Sequence, residues 1–292
     1  MVVDKPAGWT SHDVVARCRR IFGQRRVGHS GTLDPGATGI LLVGLGRATR
    51  LLRFLSDLPK TYVGEVVLGV STTTLDEEGD VTGRWDVSDV GVAEVTAAAA
   101  ALTGQILQIP PMVSAVHVDG RRLHELARQG LEVERQPRPV TVWEFDVVAG
   151  AEPGVWGIRV VCSSGTYVRV LAADLGARLG GGAHLRRLRR VSIGPFGLDA
   201  ARSLVEVEAD PAAAVLPPRA ALAGLPAVQV DEPTAQLIGH GRRLSRDQLA
   251  AEGAGPWAVL DRSGALLAVY EAGPAGEDGD LLRPAVVLAA DG

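Results

Sequence analysis

One stretch constrains this chain more than any other. A glycine-rich segment, Gly28 to Gly39, runs directly into an apolar run, Ile40 to Leu45. The run reads as a buried strand. Pro35 bars helix at Asp34 and favours an extended or turn backbone there. Gly28, Gly31, Gly36 and Gly39 surround His29, Thr32 and Asp34, and glycines let another backbone or a ligand come close. A rigid loop that holds one carboxylate against a buried strand is a common way to present a reactive side chain. An Asp-Pro flanked by glycines is equally an ordinary turn, and spacing alone leaves both readings open. The pattern is no nucleotide fingerprint. It lacks G-x-x-x-x-G-K-[ST], and its glycines precede the strand that a dinucleotide loop would follow.

The 292 residues suffice for one large or two ordinary domains, and at 46% hydrophobic they can build a sizeable core. No apolar run approaches the roughly 18 residues of a membrane span. The opening residues carry no secretory pattern. Cys18 and Cys162 match no metal spacing and need no oxidising compartment. A cytoplasmic protein with buried, reduced thiols is expected. The net charge of −4 argues mildly against a nucleic-acid partner, but the distribution argues back. Residues 1–60 hold ten Lys/Arg against four Asp/Glu, and residues 111–200 hold twelve against nine. Positive charge thus gathers around the candidate loop, and local potential steers a polyanion better than net charge does.

Along the chain, Val2-Val3-Asp4-Lys5 reads as a short strand, followed by a Pro/Gly turn. Thr10 or Ser11 can cap a helix from His12 to Phe22, and Thr10 with Asp13 three residues on approximates a capping box. Its arginines, 17, 19 and 20, face outward with Arg25 and Arg26 beyond. They form either a solvated face or a phosphate-contacting one. Arg47 to Leu55 reads as a short helix, and Lys60 to Leu68 alternates as a half-buried strand. Asp76-Glu77-Glu78-Gly79-Asp80 lacks the closing Glu of a calcium loop and reads as a solvated hairpin. Val92 to Leu102 is an alanine-rich helix. A Pro-bounded insertion spans about 108–138, with a short amphipathic helix over Arg121 to Gly130. Strands follow at Val140 to Val148 and Trp156 to Cys162, then a helix from Arg169 to Leu179. Pro217-Pro218 marks a boundary, so domains of 1–222 and 223–292 are expected. The second reads as a small β-barrel from strands at Ala227, Trp257, Leu266 and Leu281, with a helix near Thr234 to Gly239.

Gly28-His29-Ser30-Gly31-Thr32-Leu33-Asp34-Pro35-Gly36-Ala37-Thr38-Gly39 resembles the central motif of the TruB-type tRNA pseudouridine-55 synthases. Three further motifs stand in the same order: Asp4-Lys5-Pro6 to Val15, Lys60-Thr61-Tyr62, and Ser163 to Arg169. Gly182-Ala183-His184 and Leu188-Arg189-Arg190 also match. The resemblance covers residues 2 to about 200, and more loosely the tail, which resembles a PUA-like domain. It implies an α+β fold: a mixed, mainly antiparallel sheet with flanking helices, a small C-terminal barrel, and the active cleft across the sheet.

By that resemblance Asp34 is the catalytic carboxylate, Arg169 its partner and Tyr62 the ring that stacks on the target base. Tyr167 and Leu188 wall the base pocket, and the insertion grips RNA. Lys5 buttresses the loop and counts among the substrate-binding residues. His29 holds flipped nucleotides apart or contacts phosphate, and Arg189 and Arg190 join the substrate contacts. The basic segments at 17–26, 121–122 and 186–190 are candidates for phosphate contact. The implied reaction isomerises uridine 55 in the tRNA T-loop. It cleaves the N-glycosidic bond and rejoins uracil through C5, and it involves neither redox change nor net group loss, so neither cofactor nor metal is expected. The partner is tRNA, bound by a monomer without an obligatory protein partner. A tRNA-folding chaperone and an RNA-guided synthase core are the competing readings. The first would make Asp34 dispensable. The second usually carries basic extensions, whereas residues 201–292 are acidic.

Overall fold

The computed structural model describes residues 1–114, 117–118, 121–122, 131, 133–273 and 280–288. Strand β1 (Val2–Lys5) leads into a helix, Ser11–Ile21. The expected cap forms: the Thr10 hydroxyl accepts from the Asp13 N–H at 3.0 Å, and the Asp13 carboxylate accepts from the Thr10 N–H at 2.8 Å. Strands β2 (Val27–Ser30) and β3 (Thr38–Leu45) bracket the glycine-rich loop. Alternate residues of a strand face opposite sides. Leu41 and Val43 of β3 pack with Val14, Val15 and Cys18 of the helix. Ile40 and Leu42 pack with Leu55, Ile193 and Phe196. Cover on both faces explains an apolar run without polar alternation. The segment expected as one helix over 47–55 splits into a 3-10 turn, Gly46–Leu51, and a short α-helix, Leu52–Ser56.

Strands β4 (Lys60–Leu68), β5 (Val70–Thr72), β6 (Val81–Arg84) and β7 (Gly104–Gln108) follow, then the two-residue strands β8 (His117–Val118) and β9 (Arg121–Arg122). Arg121 and Arg122 therefore begin in a strand, and the rest of the expected 121–130 helix lies outside the described residues. Next come β10 (Arg138–Ala149), β11 (Val155–Cys162), β12 (Ala183–Ile193), β13 (Phe196–Gly197) and β14 (Arg202–Ser203). The main sheet runs β14-β1-β3-β12-β4-β11-β10-β7, with β2 on β3 and β13 on β12. Among the described residues of this sheet, only β1–β14 and β3–β12 pair in parallel. Helices Val92–Ala100 and Val168–Arg178 cover one face. Val95, Leu171 and Leu175 pack there against Val66, Val160 and Ile158.

The arginine-rich stretch around Arg186–Arg190 is the middle of β12, the strand that joins the two halves of the sheet. Its register shifts between Leu185 and Arg187 and again between Arg190 and Ser192. Those bulges erase the period-two signal by which sequence reveals a strand.

A second sheet, β15 (Ala227–Gln229), β16 (Leu244–Ser245), β17 (Trp257–Leu260), β18 (Leu266–Ala272) and β19 (Leu281–Val287), runs in the order β15-β17-β18-β19-β16. The helix Glu232–Gly239 packs Ile238 with Trp257 and Tyr270 on one face. Ala258, Val269 and Val286 on the other meet Leu51 and Leu222. Arg53 pairs with Glu271 across this junction at 2.8 Å. Among the described residues no helix is long and apolar enough to cross a membrane.

Candidate active site

Asp34 opens a tight turn: the Ala37 N–H donates to the Asp34 carbonyl at 3.1 Å, with Pro35 at the second position. The motif is thus a turn, and the turn also presents a carboxylate to a cavity. Three neighbours fix it. The buried Lys5 ammonium donates to the carbonyls of Pro35 (3.1 Å), Pro6 (2.9 Å) and Trp9 (2.6 Å). The Gly8 N–H donates to the Pro35 carbonyl at 2.9 Å. Buried Ser11 accepts from the Leu33 N–H (2.9 Å) and donates to the Leu33 carbonyl (3.2 Å). Lys5 has three protons and each meets a carbonyl, so it buttresses the loop and has none left for a substrate.

Arg169 sits in the first turn of the helix that begins at Val168, 4% exposed, while Asp34 is 43% exposed. The guanidinium meets the carboxylate through two bonds, Nε to Oδ2 at 2.9 Å and Nη2 to Oδ1 at 3.3 Å. This bidentate grip fixes the plane of the carboxylate. Arg169 is itself held by the carbonyls of Thr74 and Val113, both at 2.9 Å, and by the Asp76 carboxylate at 3.5 Å. The stretch at 76–80 is therefore more than a solvated hairpin. The Glu77 N–H and the Leu75 carbonyl bond to Leu185 of β12, and Leu75 takes a φ of +64° to do so. Sequence gave no sign of Asp76 in this role, because its signal is a single Asp in an acidic, turn-rich segment.

A cavity of about 240 Å³ opens beside the pair, lined by Asp34, Tyr62, Tyr167, Arg169, Leu188 and Arg190. Tyr62 is buried, and burial raises its phenol pKa, with the Arg190 guanidinium opposing the shift. Arg190 Nη1 lies 3.5 Å from the Tyr62 hydroxyl. Tyr167 is locked at its backbone by Gln108, which accepts from its N–H (2.9 Å) and donates to its carbonyl (3.3 Å). Gln108 was also invisible as a site residue: one amide at the end of an edge strand carries no motif.

Arg190 is 1% exposed, with Nε donating to the Ile40 carbonyl (2.7 Å) and Nη2 to the Gly31 carbonyl (3.0 Å). Arg189 points elsewhere, to Asp4 at 2.7 Å. Arg186 is held by Glu65 and Glu152. His29 lies on β2 against His12, ring centroids 5.5 Å apart, and its Nδ1 is buried with no hydrogen-bond partner among the described residues. Burial, His12 and Arg190 push the imidazole down to about 4, so it is neutral at pH 7. A histidine depressed in the folded state takes up its proton earlier when unfolded. Stability should therefore fall as pH drops from about 6.5 to about 4, and His29→Gln should flatten chemical-denaturation midpoints across that window. Midpoints that fall equally in the variant would show that other groups set the acid limb. Cys18 and Cys162 are buried and pushed up to about 11 by desolvation, which makes them poor nucleophiles.

Comparison with known proteins places the chain. Residues 19–168 match the model of the TruB family pseudouridylate synthase N-terminal domain, and residues 169–215 that of the tRNA pseudouridylate synthase B C-terminal domain. The chain is 47% identical to the tRNA pseudouridine synthase B of Rhodococcus jostii, over 98% of this chain and 94% of that one. It is 47% identical to that of Streptomyces griseus, over 93% and 92%. Among solved structures it resembles a chain of a Cbf5–Nop10–Gar1 complex, with TM-score 0.72, 28% identity, and coverage of 93% of this chain and 78% of that one. A chain of an H/ACA ribonucleoprotein bound to substrate RNA shares the fold, with TM-score 0.74 at 24% identity, covering 99% and 85%. By the family model over residues 19–168 and the 47% identity along nearly its whole length, the chain belongs to the TruB family of pseudouridylate synthases.

Proposed function

We propose that this protein converts uridine to pseudouridine in tRNA, at position 55 of the T-loop, acting as a monomer in the cytoplasm. The observation that carries the reading is the Asp34 carboxylate, gripped by buried Arg169 at a cavity walled by Tyr62 and Leu188. Flipping a uridine out of its stack costs a few kcal/mol, and stacking on an aromatic such as Tyr62 returns about 1–3 kcal/mol. Asp34 then attacks the sugar or abstracts a sugar proton while the uracil leaves, turns and rebonds through C5. The catalytic unit spans 1–222, and 223–292 form a PUA-like module beside it.

The test is to incubate the protein with unmodified transcribed tRNA and map pseudouridine chemically. Conversion confined to the T-loop uridine supports the reading, conversion only elsewhere discards the substrate site, and binding without conversion hands the case to the chaperone. Tyr62→Phe should keep its tRNA affinity and slow turnover by about 10²–10⁴-fold if the hydroxyl takes the C5 proton; single-turnover rates within a few-fold of wild type would exclude that role. Asp76→Asn loosens Arg169 rather than removing it, so it should slow conversion less than any change at Asp34. Phosphate contact falls to Arg20 and Arg25, both exposed, more than to Arg186 and Arg189, which are already paired.

A further inference from the structure

Lys60 has no part in the chemistry described so far. It opens β4 two residues before Tyr62, so the strand's period of two puts both side chains on one face, and both line the cavity. The side chain is 4% exposed. Its ammonium donates to the carbonyls of Ser56 (2.7 Å) and Leu58 (2.9 Å), which occupy two of its three protons. The charged and titratable groups around it are Arg190 from β12, Cys162 from β11, and Asp57 from the turn before β4. Asp34, Tyr62, Tyr167 and Arg169 stand around the cavity. Two buried cations, Lys60 and Arg190, thus share a cavity wall whose bonded partners are neutral carbonyls and a phenol. A buried cation without a carboxylate against it is costly, and the cost falls when negative charge arrives beside it. Burial and Arg190 already push the Lys60 ammonium down to about 8.

We infer that Lys60 is a further electrostatic element of the reaction: its ammonium, with Arg190 beside it, stabilises the negative charge that builds on uracil as the C1′–N1 bond breaks. The inference rests on the pseudouridylation reading. It holds for either route at Asp34, because in both the electron pair of the C1′–N1 bond leaves with the base. No proton passes to or from Lys60. When C5 bonds to C1′ the charge is withdrawn; the C5 proton then departs to a separate base, and N1 takes up a proton from that base or from solvent. Fixed donors aimed at developing charge in a water-poor site are among the strongest sources of rate enhancement.

The experiment measures single-turnover rates on unmodified transcribed tRNA between pH 6.5 and 9.5, for wild type, Lys60→Met and Lys60→Arg, with tRNA affinity and thermal unfolding measured alongside. Wild type should lose activity above pH about 8, where Lys5, the buttress of the Asp34 loop, also titrates. Lys60→Met should convert about 100-fold more slowly at pH 7, with unchanged tRNA affinity and a shallower limb near pH 8, the part that remains belonging to Lys5. Lys60→Arg should keep the charge and make that limb equally shallow, and it keeps the test readable if the methionine variant fails to fold. A limb as steep as wild type's in either variant, or a Lys60→Met rate equal to wild type, overturns the inference. A slow Lys60→Met whose limb stays in place marks a structural role, capping the helix end at Ser56. A wild type that makes no pseudouridine overturns the underlying reading instead.

Discussion

Asp34→Asn should bind tRNA as tightly as wild type and convert it at least about 10⁴-fold more slowly, the scale on which loss of a nucleophile registers. The substitution is nearly isosteric, and the turn that carries it depends on the Asp34 carbonyl, the Lys5 ammonium and Ser11 rather than on the carboxylate. The loop should therefore stand. The charge is what goes. An amide can offer its oxygen to only one of the two Arg169 contacts, at Nε or at Nη2, and it turns a donor toward the other. It can neither attack C1′ nor take a proton from the sugar. Filter binding and a single-turnover assay on the same preparation separate the two effects. Conversion within about tenfold of wild type would remove Asp34 from the chemistry, and a parallel loss of binding would make it a recognition residue.

Gly39→Ala should cost about 3 kcal/mol or more and leave little folded protein, although Gly39 bonds to nothing chemical. Its φ is +102°, a region L side chains avoid. A Cβ there would sit 2.2 Å from the Arg190 carbonyl oxygen. That contact is backbone on backbone, at the parallel pairing of β3 with β12, where Arg190 lies opposite Gly39. Relief means prising the two strands apart and withdrawing the Arg190 guanidinium from Ile40 and Gly31. Overpacking alone costs about 1–3 kcal/mol, and the left-handed backbone adds about 1–2 kcal/mol. Urea midpoints of Gly39→Ala against wild type measure the sum. A midpoint within experimental error of wild type would mean that the β3–β12 contact yields more easily than its geometry indicates.

Local order was largely legible in the sequence. Thr10 and Asp13 announce a helix start, because a cap is a contact three residues long. The run from Ile40 announces a buried strand, because composition reports burial directly. The Asp34, Tyr62, Tyr167, Arg169 and Leu188 set was reached through resemblance, and the fold brings those five side chains to one cavity. Residues without a local pattern stayed hidden. Asp76 matters only because a strained loop carries it to an arginine ninety-three residues away, and β12 conceals its strand character behind arginines and two bulges. The arginines themselves misled in one respect. Four within five positions read as an RNA-facing patch, yet Arg190 is buried and Arg186 and Arg189 are paired within the protein. Sequence counts charges but does not show which carboxylates the fold will set against them.

The order of strands in the main sheet has a kinetic consequence. β3 pairs with β12, and β1 with β14, so the centre and the edge of the sheet are closed by segments that emerge from the ribosome about 150 and 200 residues after their partners. Until β14 is available β1 has one open edge, and until β12 is available β3 lacks its partner at Thr38 and Gly39 and the Asp34 turn lacks Arg190. Long-range pairing of this kind folds slowly, and exposed apolar strand edges invite association with other chains. The nascent chain therefore passes through a long interval in which it can aggregate but cannot act. An assay of ribosome-bound chains of increasing length should find activity absent through residue 180 and present only after β14 has cleared the exit tunnel.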